Sequence, residues 1–182
     1  MDTVLILGAN GAVGSAAVQL CQALDCQSVL TTSRREGNGA DLVLTMEPAI
    51  LRSKMLELTR DRGVNVVVDT IGDIGIMSMA LGWLNARGRY VWIAAPRDGT
   101  DPFLSVDILQ TYRKELELIG CNSALKTASE TKEELSVLAA LIQNGRLKPA
   151  GHTTLVELSL ENSIERGYIR KEPGETAVIK II

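Results

Sequence analysis

Apolar residues fall along this chain in two alternating patterns. Short unbroken runs read as strands buried on both faces, and longer stretches with apolar positions three and four apart read as helices packed by one side. Val4, Leu5, Ile6 and Leu7 form the first run, and a helix follows over residues 15–24, with Ala16, Ala17, Leu20 and Leu24 at helical spacing. Residues 28–32 predict a second strand and residues 42–44 a brief third one. Pro48, suited to a first helical turn, precedes a helix over residues 50–62. Residues 64–68 predict a fourth buried strand, followed by a helix through Met77, Leu81 and Leu84 that ends near Arg87 and Gly88. A fifth strand covers residues 89–95 and stops at Pro96, and a sixth covers residues 116–120. Residues 130–144 predict a helix closed by Asn144 and Gly145. The last stretch holds extended pieces at residues 153–157 and 176–182 around a helical turn at residues 160–168.

Strands that alternate with helices specify an α/β fold, because parallel strands need crossover connections. The expectation is a doubly wound parallel sheet of about six strands with helices on both faces, formed by residues 1–150. Residues 151–182 are expected to form a C-terminal tail. Composition narrows the function classes. A net charge of −3 across 182 residues, with Arg34 and Arg35 forming a pair rather than a patch, argues against a nucleic-acid surface. No apolar run approaches the roughly 18 residues that span a bilayer. Met1, Asp2 and Thr3 lack the basic flank of a signal peptide, so a cytoplasmic location is expected. Cys21, Cys26 and Cys121 show no CxxC spacing, and His152 is the single histidine. No zinc site is therefore expected, and Cys21 and Cys26 read as small core or near-core residues.

The chemistry concentrates in the turn after the first strand. Ala9-Asn10-Gly11-Ala12-Val13-Gly14 follows Gly8 and fits a G-x-G-x-x-G fingerprint with Ala9 in place of the first glycine. Lying between a buried strand and a helix gives that pattern its meaning: a dinucleotide-binding turn of the Rossmann type. Gly11 lets the backbone approach a pyrophosphate, Gly14 lets the helix pack on the strand, and the helix N-terminus offers free N–H groups and partial positive charge. Without the flanking elements, the same residues would read as a mere strand-to-helix turn.

The end of the second strand selects the dinucleotide. An NAD site usually places a carboxylate there for the adenine ribose hydroxyls. This chain has Thr32 and Ser33, followed by Arg34 and Arg35, a set that suits a 2′-phosphate and favours NADPH over NADH. The alternative is that both arginines form a solvated loop face, and the adjacent Glu36 counts slightly toward it. Asp69 ends the fourth strand and Ile93, Ala94 and Ala95 end the fifth, all on the carboxyl edge where open α/β sheets bind ligands. Asp69 serves equally well in this reading as a cap for the following helix.

Taken together, these segments resemble the coenzyme domain of the medium-chain dehydrogenase/reductase superfamily, in its zinc-independent quinone-oxidoreductase and enoyl-reductase branch. The resemblance rests on residues 4–20, on Val66-Val67-Val68-Asp69-Thr70-Ile71-Gly72, on Gly88-Arg89-Tyr90-Val91-Trp92-Ile93 and on Leu118-Ile119-Gly120-Cys121-Asn122. Gly145-Arg146-Leu147-Lys148-Pro149 and Ala177-Val178-Ile179-Lys180-Ile181 add to it. It implies hydride transfer from NADPH to a quinone, an enone or an enoyl thioester. It places Gly11, Ala12 and Val13 at the pyrophosphate, Ser33 and Arg34 at the 2′-phosphate, and the backbone of Ile93 to Ala95 at the nicotinamide. It also implies an N-terminal GroES-like domain with the substrate pocket and most candidate catalytic groups, against which the C-terminal tail would pack. Here the sequence opens directly on the first coenzyme strand, so no catalytic residue is assigned and the isolated chain is expected to be inactive. The loop at residues 36–40 is shorter than the family's. Family habit further implies a homodimer through the sheet edge at residues 116–120.

Two other readings compete: a stand-alone dinucleotide-binding module without catalysis, and an enoyl-reductase fragment of a polyketide synthase. The second is disfavoured because such domains carry a lysine soon after the second strand, whereas this chain has none before Lys54. Short-chain reductases are excluded, since none of Tyr90, Tyr112 and Tyr168 has a lysine four residues later.

Overall fold

The computed structural model of the chain describes residues 1–96, 99–148, 154–170 and 175–179. Six strands form one parallel sheet: β1 (Thr3–Leu7), β2 (Ser28–Ser33), β3 (Leu42–Val43), β4 (Val64–Asp69), β5 (Leu84–Trp92) and β6 (Glu117–Gly120), in the order β3-β2-β1-β4-β5-β6. This is the doubly wound order, in which the chain reverses direction across the sheet between β1 and β4. Registers place the strand ends level, with Ile6 opposite Thr31, Leu7 opposite Asp69 and Asp69 opposite Trp92.

The unbroken apolar run of β1 is required because both its faces are covered. Val4 and Ile6 point to the side of α1 (Ala12–Ala23), where Ala17, Val18, Val29, Val66 and Val68 surround them. Leu5 and Leu7 point to the other side, into a core with Leu51 and Met55 of α2 (Pro48–Thr59) and Met77 and Ala80 of α3 (Ile74–Leu81). The α4 helix (Ile108–Lys114) precedes the edge strand β6. The α5 helix (Ala128–Gln143) opens with a capping box, in which Thr127 and Glu130 satisfy each other's backbone amides.

The β5 strand departs from the sequence reading at both ends, stopping at Trp92 before Ile93 to Ala95 and opening at Leu84. Leu84 belongs to β5, not to the preceding helix, which stops at Leu81. Leu84 pairs with Val64, and the next paired residue, Arg89, faces Val66, so the intervening residues bulge outward. Burial of Leu84 in the core outweighs the helical spacing that linked it to Leu81.

The chain divides into two units, residues 1–147 and 148–182. In the second, β7 (Thr154–Leu158) pairs in parallel with β8 (Glu175–Ile179), and a short π-helical turn (Glu165–Ile169) lies between them in sequence. Thr153, His152, Pro149 and the residues after Ile179 lie outside the described ones. Among the described residues, no helix is long and apolar enough to cross a membrane.

Candidate functional site

Loops leaving the carboxyl ends of β1, β2, β4 and β5 line a cleft of about 600 Å³. At its centre β1 turns sharply into α1. The turn is made at Gly8, whose φ is +82° and whose missing Cβ would lie 2.6 Å from Thr70 Oγ1. Because Gly8 takes this conformation, the next position tolerates a side chain, and Ala9 is buried with Val4 and Ile6. Gly14 holds the helix on the turn, since a Cβ there would sit 2.1 Å from the Gly8 carbonyl oxygen.

Gly11 is different. Its backbone is extended at φ −80° and ψ 168°, and a Cβ would meet only the Gly8 oxygen, at 3.4 Å. Neither conformation nor packing within the chain requires glycine at a position that lines the cleft. The α1 helix then starts at Ala12 with no side-chain cap and no acidic residue in its first turn, so its end keeps the partial positive charge of its amides.

The end of β2 builds the cleft's second wall. Thr32 is fully buried; its hydroxyl donates to the Ile6 carbonyl at 3.3 Å and accepts from the Gly8 amide at 3.2 Å. Ser33 organises the following loop, with Oγ accepting from the Arg35 amide at 3.0 Å and from Asn38 Nδ2 at 3.2 Å. Arg34 and Arg35 are exposed and line the cleft. The nearby carboxylate of Asp41 is committed elsewhere, accepting from the Thr31 amide at 2.7 Å and its hydroxyl at 2.8 Å. Among the described residues, no Asp or Glu lines this cleft.

Asp69 corrects the sequence reading on both counts. It is fully buried and absent from the cleft lining: Oδ1 accepts from the amides of Ile71 at 2.8 Å and Gly72 at 3.0 Å, and Oδ2 accepts from the Tyr90 hydroxyl at 2.9 Å. Nor does it cap α3, because Asp73 does so by accepting from the Ile76 amide at 2.9 Å. Asp69 locks the turn that presents Thr70 and Ile71 to the cleft. That turn presses on the β5 end: Gly72, at φ +73°, has the Ala94 carbonyl carbon 2.6 Å from where a Cβ would be. The Ile93 amide donates to the Asp69 carbonyl at 3.1 Å, which ties the two loops at their base.

Of the residues singled out from sequence, Asn10, Gly11, Thr32, Ser33, Arg34, Arg35 and Ala94 come together in the cleft. Ala12 and Val13 stand exposed at the start of α1, and Ile93 is exposed after β5. Ala95 instead lines an adjoining apolar cavity of about 260 Å³ with Tyr90, Trp92, Pro96 and Leu104, which meets the cleft at Ala94. Sequence reasoning missed Asn38, Leu44, Thr70 and Ile71. Thr70 and Ile71 follow the fourth strand and could have been found by position; Asn38 and Leu44 carry no motif.

Among the described residues, no group of three His, Cys, Asp or Glu side chains is placed to hold a metal ion.

Comparison with known proteins agrees with the fold. A family model described as zinc-binding dehydrogenase matches residues 12–141. A zinc-type alcohol dehydrogenase-like protein of Schizosaccharomyces pombe is 37% identical over 92% of this chain and 49% of its own length. An acryloyl-coenzyme A reductase of Metallosphaera sedula is 31% identical over 92% of this chain and 46% of its own. The human quinone oxidoreductase is 25% identical over 81% and 45%. Among solved structures, a mycobacterial protein complexed with NADPH superposes with a TM-score of 0.69 at 23% identity, covering 90% of this chain and 51% of that one. The chain thus spans about half the length of the curated relatives it matches. It belongs to the zinc-binding dehydrogenase family of the medium-chain dehydrogenases and reductases, and it corresponds to their dinucleotide-binding half.

Proposed function

We propose that this chain binds NADPH along the carboxyl edge of its sheet, as the coenzyme half of a reductase for a quinone, an enone or an enoyl thioester. The observation that carries the reading is Gly11, a glycine that the fold itself does not need, on the wall of the cleft and at the mouth of an uncapped helix. A pyrophosphate gives that glycine its reason, because a Cβ would occupy the space the phosphate oxygens need. Asn10, Gly11 and the amides of Ala12, Val13 and Gly14 would hold the pyrophosphate. Thr32 and Ser33 would set the loop, and Arg34 and Arg35 would hold the 2′-phosphate. Ile93, Ala94 and Ala95 would support the nicotinamide by their backbone, with Asp69 bracing the turn behind them.

When bound, the coenzyme supplies a hydride. The residues described here bind and orient it; none is placed as an acid or base. The relatives named as a quinone oxidoreductase and an acryloyl-coenzyme A reductase support an electron-poor alkene or quinone as acceptor. The acceptor's pocket would come from a partner domain of GroES type, packed in part on residues 151–182. A homodimer through the edge strand β6, whose residues are all exposed, completes the proposed assembly.

The test is calorimetric titration of the chain with NADPH, followed by an absorbance assay with an enone or quinone. Binding without turnover is expected. Failure to bind sinks the reading, and turnover by the chain alone would show that its own residues suffice for chemistry.

A further inference from the structure

Two of the three thiols meet at the end of α1 opposite the coenzyme cleft. The helix terminates in a Schellman motif: the Asp25 amide donates to the Gln22 carbonyl at 3.2 Å, the Cys26 amide donates to the Cys21 carbonyl at 3.1 Å, and Asp25 is left-handed at φ 57°. This motif usually brings an apolar pair together across the turn, from the third-last helical residue to the second residue beyond the cap. Here both members of that pair are cysteines. Cys21 and Cys26 are half-buried and reduced, and both pack against the apolar cluster of Val4, Ile6 and Ala9, while Cys121 is exposed and stands apart in sequence after β6.

We propose that Cys21 and Cys26 form an oxidisable dithiol, closed to a disulfide by small-molecule disulfides of the glutathione type. The Cys26 thiolate attacks the small disulfide and expels one thiolate, leaving a mixed disulfide. Cys21 then loses its proton, attacks Cys26 Sγ and expels the second thiolate. Two protons and two electrons leave the protein, and the oxidant becomes two thiols. The order follows from the surroundings: burial, and then the neighbouring Cys26, push the Cys21 thiol up to about 11, which suits it to resolve rather than to initiate. The motif folds Cys26 back over the last turn of the helix, toward Cys21, which is the approach that closure requires.

The experiment equilibrates the intact chain in glutathione buffers of graded ratio, blocks free thiols with an alkylating agent and maps the peptides by mass. The expected product is a linked 21–26 peptide that grows with the oxidised fraction and persists in Cys121→Ser. Cys21→Ser should instead trap a mixed disulfide on Cys26. Asp25→Gly, which keeps the left-handed turn, should link as the parent does, while Asp25→Val, which resists it, should link several-fold less. Alkylation of both thiols at every ratio, glutathione retained on Cys26 in the parent, or linkage only through Cys121 overturns the proposal. Equal linking in the glycine and valine variants overturns the role given to the turn.

Discussion

The Tyr90 hydroxyl donates a 2.9 Å hydrogen bond to Asp69 Oδ2, joining β5 to the end of β4 where both residues are closed to solvent. Removing the phenolic oxygen in Tyr90→Phe strips a buried carboxylate oxygen of its donor, at a cost of about 1–3 kcal/mol. Urea unfolding near neutrality checks this, and an unchanged midpoint would mean that Asp69 finds another partner.

The same pair fixes a pH dependence. Burial, and then the Asp69 carboxylate, push the Tyr90 phenol above its ordinary range. An unfolded tyrosine titrates at about 10, so the native state holds this proton more tightly than the unfolded one. The stability from the pair is therefore fully present below about pH 10 and is lost progressively as the pH rises beyond it. Melting curves above that pH should fall more steeply for the parent than for Tyr90→Phe. Parallel declines would contradict the linkage.

Two glycines of the turn separate packing from ligand contact. Gly14→Ala forces a Cβ against the Gly8 carbonyl and should destabilise by about 1–3 kcal/mol, an overpacking penalty reduced in part by alanine's better helix propensity. Gly11→Ala has room, so its stability should stay within about 0.5 kcal/mol of the parent. Its NADPH affinity should nonetheless fall at least about tenfold, equivalent to about 1.4 kcal/mol. Thermal melts beside titrations give both numbers. Retained binding in Gly11→Ala would remove the main support for the coenzyme reading.

The proposed coenzyme preference rests on the arginines. Arg34→Ala removes a cation whose hydrogen bonds to a phosphate are worth about 1.5–3 kcal/mol, so NADPH binding should weaken by about 10- to 100-fold. NADH binding should barely change. Equal losses for both coenzymes would assign Arg34 to the fold or to general electrostatics rather than to the 2′-phosphate.

Edge pairing is open to a direct test. All four residues of β6 are exposed, and Leu118 and Ile119 present apolar surface there. Sedimentation should show a dimer in the parent and a monomer in Ile119→Pro, because proline removes a ladder donor. A parent that sediments as a monomer across the accessible concentration range contradicts the proposed assembly.

Much of the fold was legible because doubly buried strands write unbroken apolar runs, as in Val4 to Leu7 and Val66 to Val68. The glycine turn was legible because Gly8 and Gly14 are sterically forced, although the sharp bend falls on Gly8, one residue before the fingerprint places it. Leu84 misled because an apolar residue at helical spacing can equally open the next strand. Asp69 misled for another reason: a carboxylate at a strand end satisfies either a ligand or its own backbone, and only coordinates show that Ile71, Gly72 and Tyr90 take up its oxygens. Asn38 joined the cleft through a bond to Ser33 that no spacing rule encodes.

The cleft is unequally open to evolutionary change. Substitutions at Gly8, Gly14 and Gly72 run into neighbouring atoms, whereas Gly37 and Gly39 meet no neighbour, only the strain of their own left-handed backbone, and the exposed positions around them carry Arg34, Arg35 and Asn38. In the proposed binding mode, descendants of this sequence could exchange one adenosine-end chemistry for another by editing a single surface loop. Gly8, Gly14 and Gly72, which shape the turns proposed to carry the pyrophosphate and nicotinamide, admit little change, so coenzyme choice could diverge while the fold stays the same.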